Sequence, residues 1–176
     1  MIDNFKQFKK KNIDNTRKSE MILRLLTNYE LIALILLLEN GTIKGSDKLP
    51  NGKDILTYLY YFVRNSKHNS YIFIEDIEYF LKLLLETGSD VNTIDNEGFS
   101  VLMNSLYITD EAVVYCLEKD PDLSYKNDET TEKTGDIFDY CVISGKESRF
   151  LNALKKIKPE EYQKYMKSKK IKDFNL

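Results

Sequence analysis

The chain has 176 residues, 42% hydrophobic and 31% charged, with no Trp and a formal net charge of −2. That composition excludes an intrinsically disordered or fibrous chain, and the near-neutral balance gives no bulk attraction to nucleic acid. The charge is unevenly placed: residues 1–74 carry 12 Lys/Arg against 7 Asp/Glu, residues 75–140 carry 4 against 17, and residues 141–176 carry 10 against 4. An acidic middle between basic ends is the first asymmetry with a consequence for partners.

In chain order, residues 1–18 are polar and Lys-rich and read as a leader or a first helix. They hold no apolar h-region, so no secretory signal is expected. Ser19 to Leu26 reads as a helix with Ser19 as its cap. Tyr29 to Glu39 reads as a second helix, apolar around most of its circumference and therefore packed on more than one side. Its apolar run, Leu31–Leu38, is far short of the roughly 20 residues of a membrane span. Asn40-Gly41 stops it. Leu49-Pro50-Asn51-Gly52 is a turn, and Asp54 caps a helix to about Arg64. On that helix Leu56, Leu59, Tyr60 and Val63 are expected to share a buried stripe, leaving Tyr58 and Tyr61 on other faces. Asn65 to Ser70 is a polar loop, and "YIFIED", Tyr71 to Asp76, is ambiguous between extended chain and helix entry.

Asp76 to Glu86 is amphipathic, with Ile77, Phe80, Leu81, Leu84 and Leu85 at helical spacing, and Gly88 ends it. Asp95-Asn96-Glu97-Gly98 is a turn. Ser100 to about Tyr107 is a short helix, and Asp110 opens the next, through Leu117. Asp120-Pro121-Asp122 stops that one, and Tyr125 to Lys133 is a polar loop. Asp136 to Ser144 and Glu147 to Ile157 are helical, broken by Gly145. Pro159 opens a final polar helix to Lys170. The stops Gly41, Gly88 and Asp120 are 47 and 32 residues apart, and the turn positions Gly52, Gly98 and Thr134 are 46 and 36 apart. A period near 33 with insertions signals repeats whose helix pairs are each too small to bury an apolar face alone.

The stretch "LKLLLETGSDVNTIDNEGFSVLMNSL" resembles the ankyrin repeat. Gly88-Ser89-Asp90-Val91-Asn92 stands where that family has G-A-D-V-N, and Asp95, Gly98, Ser100 and Leu102 stand at its D, G, T and L positions. Gly52, Asp54, Ile55 and Leu56 match more weakly, as do Asp120-Pro121-Asp122-Leu123-Ser124 and Thr134, Asp136, Phe138 and Cys141. The family's His position holds Thr57, Met103 and Asp139, and its Pro position holds Ile55, Val101 and Ile137. The resemblance implies an all-α solenoid of stacked helix-turn-helix units over residues 19–157, in three and a half to four repeats, with 158–176 as a basic capping helix. It also implies partner contacts at turn tips and along inner helices: Pro50, Asn51, Lys53 and Tyr61; Asn96, Glu97, Phe99 and Tyr107; Glu132, Lys133 and Ile143.

No catalytic constellation is expected. His68 is the only histidine and sits in a polar loop without an evident base, nucleophile or metal partner. Asp120/Asp122 and Asp128-Glu129 lack calcium-loop spacing. The glycines serve turns and not a phosphate cradle. Cys116 and Cys141 read as small buried hydrophobes, and the C-terminal lysines as a solvated helix and not a nucleic-acid reader. The expected function is a non-catalytic protein-binding module for a partner with a basic surface, with no metal, cofactor, small-molecule substrate or membrane. The Asn/Lys/Ile/Tyr-rich composition suits an effector or host-interaction factor of a bacterium or large DNA virus, acting in the cytoplasm of the producing cell or of a host. The alternative is an immunity protein that neutralises a cationic toxin such as a nuclease. An enzyme, or a purely structural, self-assembling protein, is the remaining class.

Overall fold

The computed structural model describes residues 14–66, 72–127 and 135–174, with no side-chain description for 65–66 and 170–174. Among the described residues the fold is helical, without a strand or sheet; antiparallel pairing is confined to the isolated bridges Lys48–Asp54, Ile94–Ser100 and Asn127–Gly135. No described helix is long and apolar enough to cross a membrane. The chain divides into two compact units, Met1–Asp90 and Val91–Leu176.

In the first unit α1 spans Asn15–Thr27 and α2 spans Leu31–Glu39. A 3₁₀ turn, Ile55–Tyr58, runs into α3, Leu59–Ser66, and α4 spans Ile74–Glu86. Helix α1 begins four residues before the expected Ser19. Its cap is Asp14, whose carboxylate accepts from the Thr16 N–H, and Ser19 lies inside the helix, donating to the Thr16 carbonyl. Ile22 and Leu26 form its buried stripe. Helix α2 packs against α1 and α4, so it is covered on two sides through Leu31, Leu34, Ile35 and Leu38. Its third side is open: Ile32 is 52% and Leu36 43% exposed. "YIFIED" resolves from Ile74 onward as helix.

The stripe on α3 also differs from expectation. Phe62 is fully buried and Tyr60 only half-buried. The 3₁₀ opening has three residues per turn instead of 3.6, which rotates the face of everything downstream. Leu59, Phe62 and Val63 then point inward. Phe62 meets Phe80 edge-on at 5.6 Å and Tyr29 at 6.1 Å. The chain after α2 is stitched to the end of α4. The Gly45 N–H donates to Thr87 Oγ1 at 2.7 Å, and Ser89 Oγ donates to the Gly45 carbonyl at 2.9 Å. Only glycine fits there, since a Cβ on residue 45 would stand 2.0 Å from the Leu84 carbonyl oxygen.

In the second unit α5 spans Val101–Ser105, α6 Asp110–Glu118, α7 Ile137–Ile143, α8 Glu147–Ile157 and α9 Pro159–Phe174. Val101, Leu102, Leu106, Val113, Leu117, Phe150 and Leu154 fill its core. Helix α6 packs on α5 and α8, α7 on α5 and α8, and α9 on α8. Asp120 ends α6 at φ 57, matching Gly41 at φ 72 and Gly88 at φ 107. The three stops share the left-handed conformation that closes a helix. Helix α9 is no freely solvated rod: Tyr165 stacks on Phe138 at 4.7 Å and donates to Glu147 Oε1 at 3.2 Å. Both cysteines are fully buried, and burial pushes each thiol up to about 12, which makes them inert packing groups.

Candidate partner-binding surfaces

The turn of the first unit presents Pro50, Asn51 and Lys53, all exposed. Its geometry is closed from within. The Leu49 N–H donates to the Lys53 carbonyl at 2.9 Å, the Gly52 N–H to the Leu49 carbonyl at 2.8 Å, and Asn51 Oδ1 accepts from the Lys53 N–H at 3.1 Å. Gly52 takes φ 78 at the tip. Behind it Asp54 is buried, capping the 3₁₀ turn at the Leu56 N–H and accepting from Ser89 Oγ at 3.0 Å. Tyr61 belongs to the same unit but is half-buried, 5.7 Å from the Tyr58 ring and 5.9 Å from Tyr60. Tyr60 is held in turn by Arg64, whose Nη1 donates to its hydroxyl at 3.0 Å.

The turn of the second unit presents Asn96 and Glu97, both exposed. Asp95 organises it: one carboxylate oxygen accepts from the Glu97 and Phe99 N–H groups at 2.8 and 2.9 Å, the other from Asn104 Nδ2 at 2.8 Å. Burial raises the Asp95 carboxyl above its ordinary value, and those bonds oppose the rise. Ser100 caps α5 at the Met103 N–H, 3.2 Å. Phe99 and Tyr107 are half-buried and are joined by Tyr140, a residue the sequence did not single out. The Phe99 and Tyr140 rings are 5.3 Å apart, and the Tyr140 hydroxyl meets that of Tyr107 at 3.3 Å. Lys146 Nζ lies 5.4 Å over the Tyr107 ring. Ile143 is 52% exposed beside Val142 at 49%. Glu132 and Lys133 lie outside the described residues, as do His68 and the Asp128-Glu129 pair.

The remaining sequence candidates resolve into structural roles. Asp122 accepts from the Ser124 hydroxyl and N–H, which holds its carboxyl below the usual range, and Asp120 pairs with Lys158. Among the described residues no group of three His, Cys, Asp or Glu is placed to hold a metal ion. Several C-terminal lysines answer acids of their own unit: Lys158 Asp120, Lys169 Glu147 and Lys164 Glu161. No family model, no curated protein and no solved structure matches the chain.

Proposed function

We propose that the protein is a non-catalytic, ankyrin-repeat-like binding module. Its helix pairs stack in a row, α9 caps the end, and the turn tips with the inner helices grip a partner protein that has a basic surface. The observation that carries this reading is how the two tips are built. Exposed residues at 50–53 and 96–97 stand on turns closed from within, the first by the Leu49–Lys53 and Gly52–Leu49 backbone bonds and Asn51 Oδ1, the second by the buried Asp95 carboxylate. Tips already ordered lose little conformational entropy on binding. The recurrence of bridge, positive-φ glycine and side-chain-capped helix at 48–54 and at 94–100 supports the repeat reading. The acidic exposed residues of the middle segment, such as Glu97, Asp110, Glu111 and Glu118, support a basic partner, whose approach they would steer.

The test uses the exposed tip residues. Once a partner has been recovered from the source organism, Lys53→Ala combined with Asn96→Ala and Glu97→Lys is expected to weaken it at least tenfold without moving the thermal midpoint. Undiminished binding would refute the assignment. The acidity also favours a second reading, in which the protein is an immunity factor that caps a cationic toxin such as a nuclease. That reading requires a small cationic toxin encoded beside it, and an adjacent gene of any other kind overturns it.

A further inference from the structure

The outer side of the first unit carries an apolar face that none of the turn contacts use. Ile32 and Leu36 are one helical turn apart on α2, and Glu39 follows on the same face. Tyr79 of α4 is 43% exposed and donates to Glu39 Oε1 at 2.8 Å, so the two helices present a joint surface. The chain following α2 also meets the end of α4 at Gly45–Thr87. Acids rim this face. Glu39 and Glu86 both act on the Tyr79 phenol and hold it above its ordinary value, and Glu75 lies one turn before Tyr79 and is exposed. Helix α2 has no Lys or Arg, and the one cation of α4, Lys82, pairs with Glu78.

We propose that the α2–α4 face docks an amphipathic helix of another protein, one whose apolar stripe is flanked by Lys or Arg. The chemistry follows from the face. Ile32, Leu36 and Tyr79 offer separate apolar anchors over about 10 Å, two turns of a partner helix. The carboxylates Glu39, Glu75 and Glu86 match flanking cations and would repel an acidic helix or an anionic membrane surface. Exposed large apolar side chains grouped within a charged rim mark interaction sites in soluble proteins. The surface lies wholly in the first unit and does not depend on the turn tips.

The test titrates the full chain with a synthetic 14-residue Leu/Lys peptide whose leucines fall at i, i+3, i+4 and i+7. Controls are a scrambled peptide and a Leu/Glu counterpart. The patterned basic peptide is expected to bind, and to bind at least tenfold more weakly to Ile32→Gln combined with Leu36→Gln. Glu39→Lys is expected to weaken it severalfold and to flatten its salt dependence. Equal binding of the Leu/Glu peptide, or of the patterned peptide to the Ile32/Leu36 variant, overturns the proposal. So does a gain in affinity on Phe5→Asp with Phe8→Asp, which would assign the face to the chain's own basic leader. A dimer in sedimentation that Ile32→Gln dissolves would assign it to a second copy and overturn the proposal as well.

Discussion

The turns at 48–54 and 94–100 reach one geometry by different chemistry. Each closes an antiparallel bridge across six residues, lifts a glycine to positive φ at its tip, at 78 and at 83, and delivers the chain into a side-chain-capped helix. The first turn is closed by backbone bonds and Asn51 Oδ1, and Asp54, its last residue, serves as the cap. In the second, the carboxylate Asp95 stands near the start and bonds back into the turn, and capping falls to Ser100. Asp54 accepts from the Leu56 N–H, two residues on, and a 3₁₀ entry follows, whereas Ser100 accepts from Met103, three residues on, and a regular α-helix follows. The backbone path is the invariant, and the polar groups that satisfy it can be exchanged between positions.

The comparison can be broken most severely at its supports. Phe62→Ala in the fully buried aromatic stack is expected to cost about 3–5 kcal/mol in urea unfolding, and Gly45→Ala, forcing a Cβ to 2.0 Å from the Leu84 carbonyl, about 3 kcal/mol. A loss below about 1 kcal/mol at either site would show that the unit is not packed as described. Asp95→Ala strands the Glu97 and Phe99 donors and Asn104, and is expected to cost about 2–3 kcal/mol by the same measurement. Ser100→Ala removes one cap and should cost about 1 kcal/mol. Gly98→Ala meets no atom within 4 Å, so its cost is conformational alone, about 1 kcal/mol. If Gly98→Ala matched Gly45→Ala, the distinction between a glycine needed for space and one needed for φ would fail.

The smallest expected effect is in pH. The Asp95 carboxyl is raised by burial above its ordinary value of 3.8, so the folded state holds the proton more tightly than the unfolded one. Its contribution to stability is fully present below the unfolded value and is lost as pH rises through the raised one. The advantage of the wild type over Asp95→Asn should therefore shrink as pH is raised from near 4 towards neutrality. An advantage that grew instead would reverse the sign assigned to burial there.

Much of the helical framework was legible along the chain because its signals are local. The stripe Ile77, Phe80, Leu81, Leu84 and Leu85 is buried as its spacing required, and Asp54, Ser100 and Asp136 accept from the first turns of their helices. The candidate contacts were only partly legible. Exposure at Pro50, Asn51, Lys53, Asn96 and Glu97 follows from turn position, but Phe99 and Tyr107 are drawn inward by Tyr140, some 33 residues from Tyr107. No local pattern encodes that approach.

The sequence by itself determined where helices stop, since a left-handed residue at Gly41, Gly88 or Asp120 and a capping oxygen after each turn act within a few residues of chain. Tertiary structure decided which side of an apolar helix is covered. Leu34 and Ile32 are equally oily in sequence, yet one is sealed against its neighbours and the other stands open, because burial depends on which helices arrive from elsewhere in the chain.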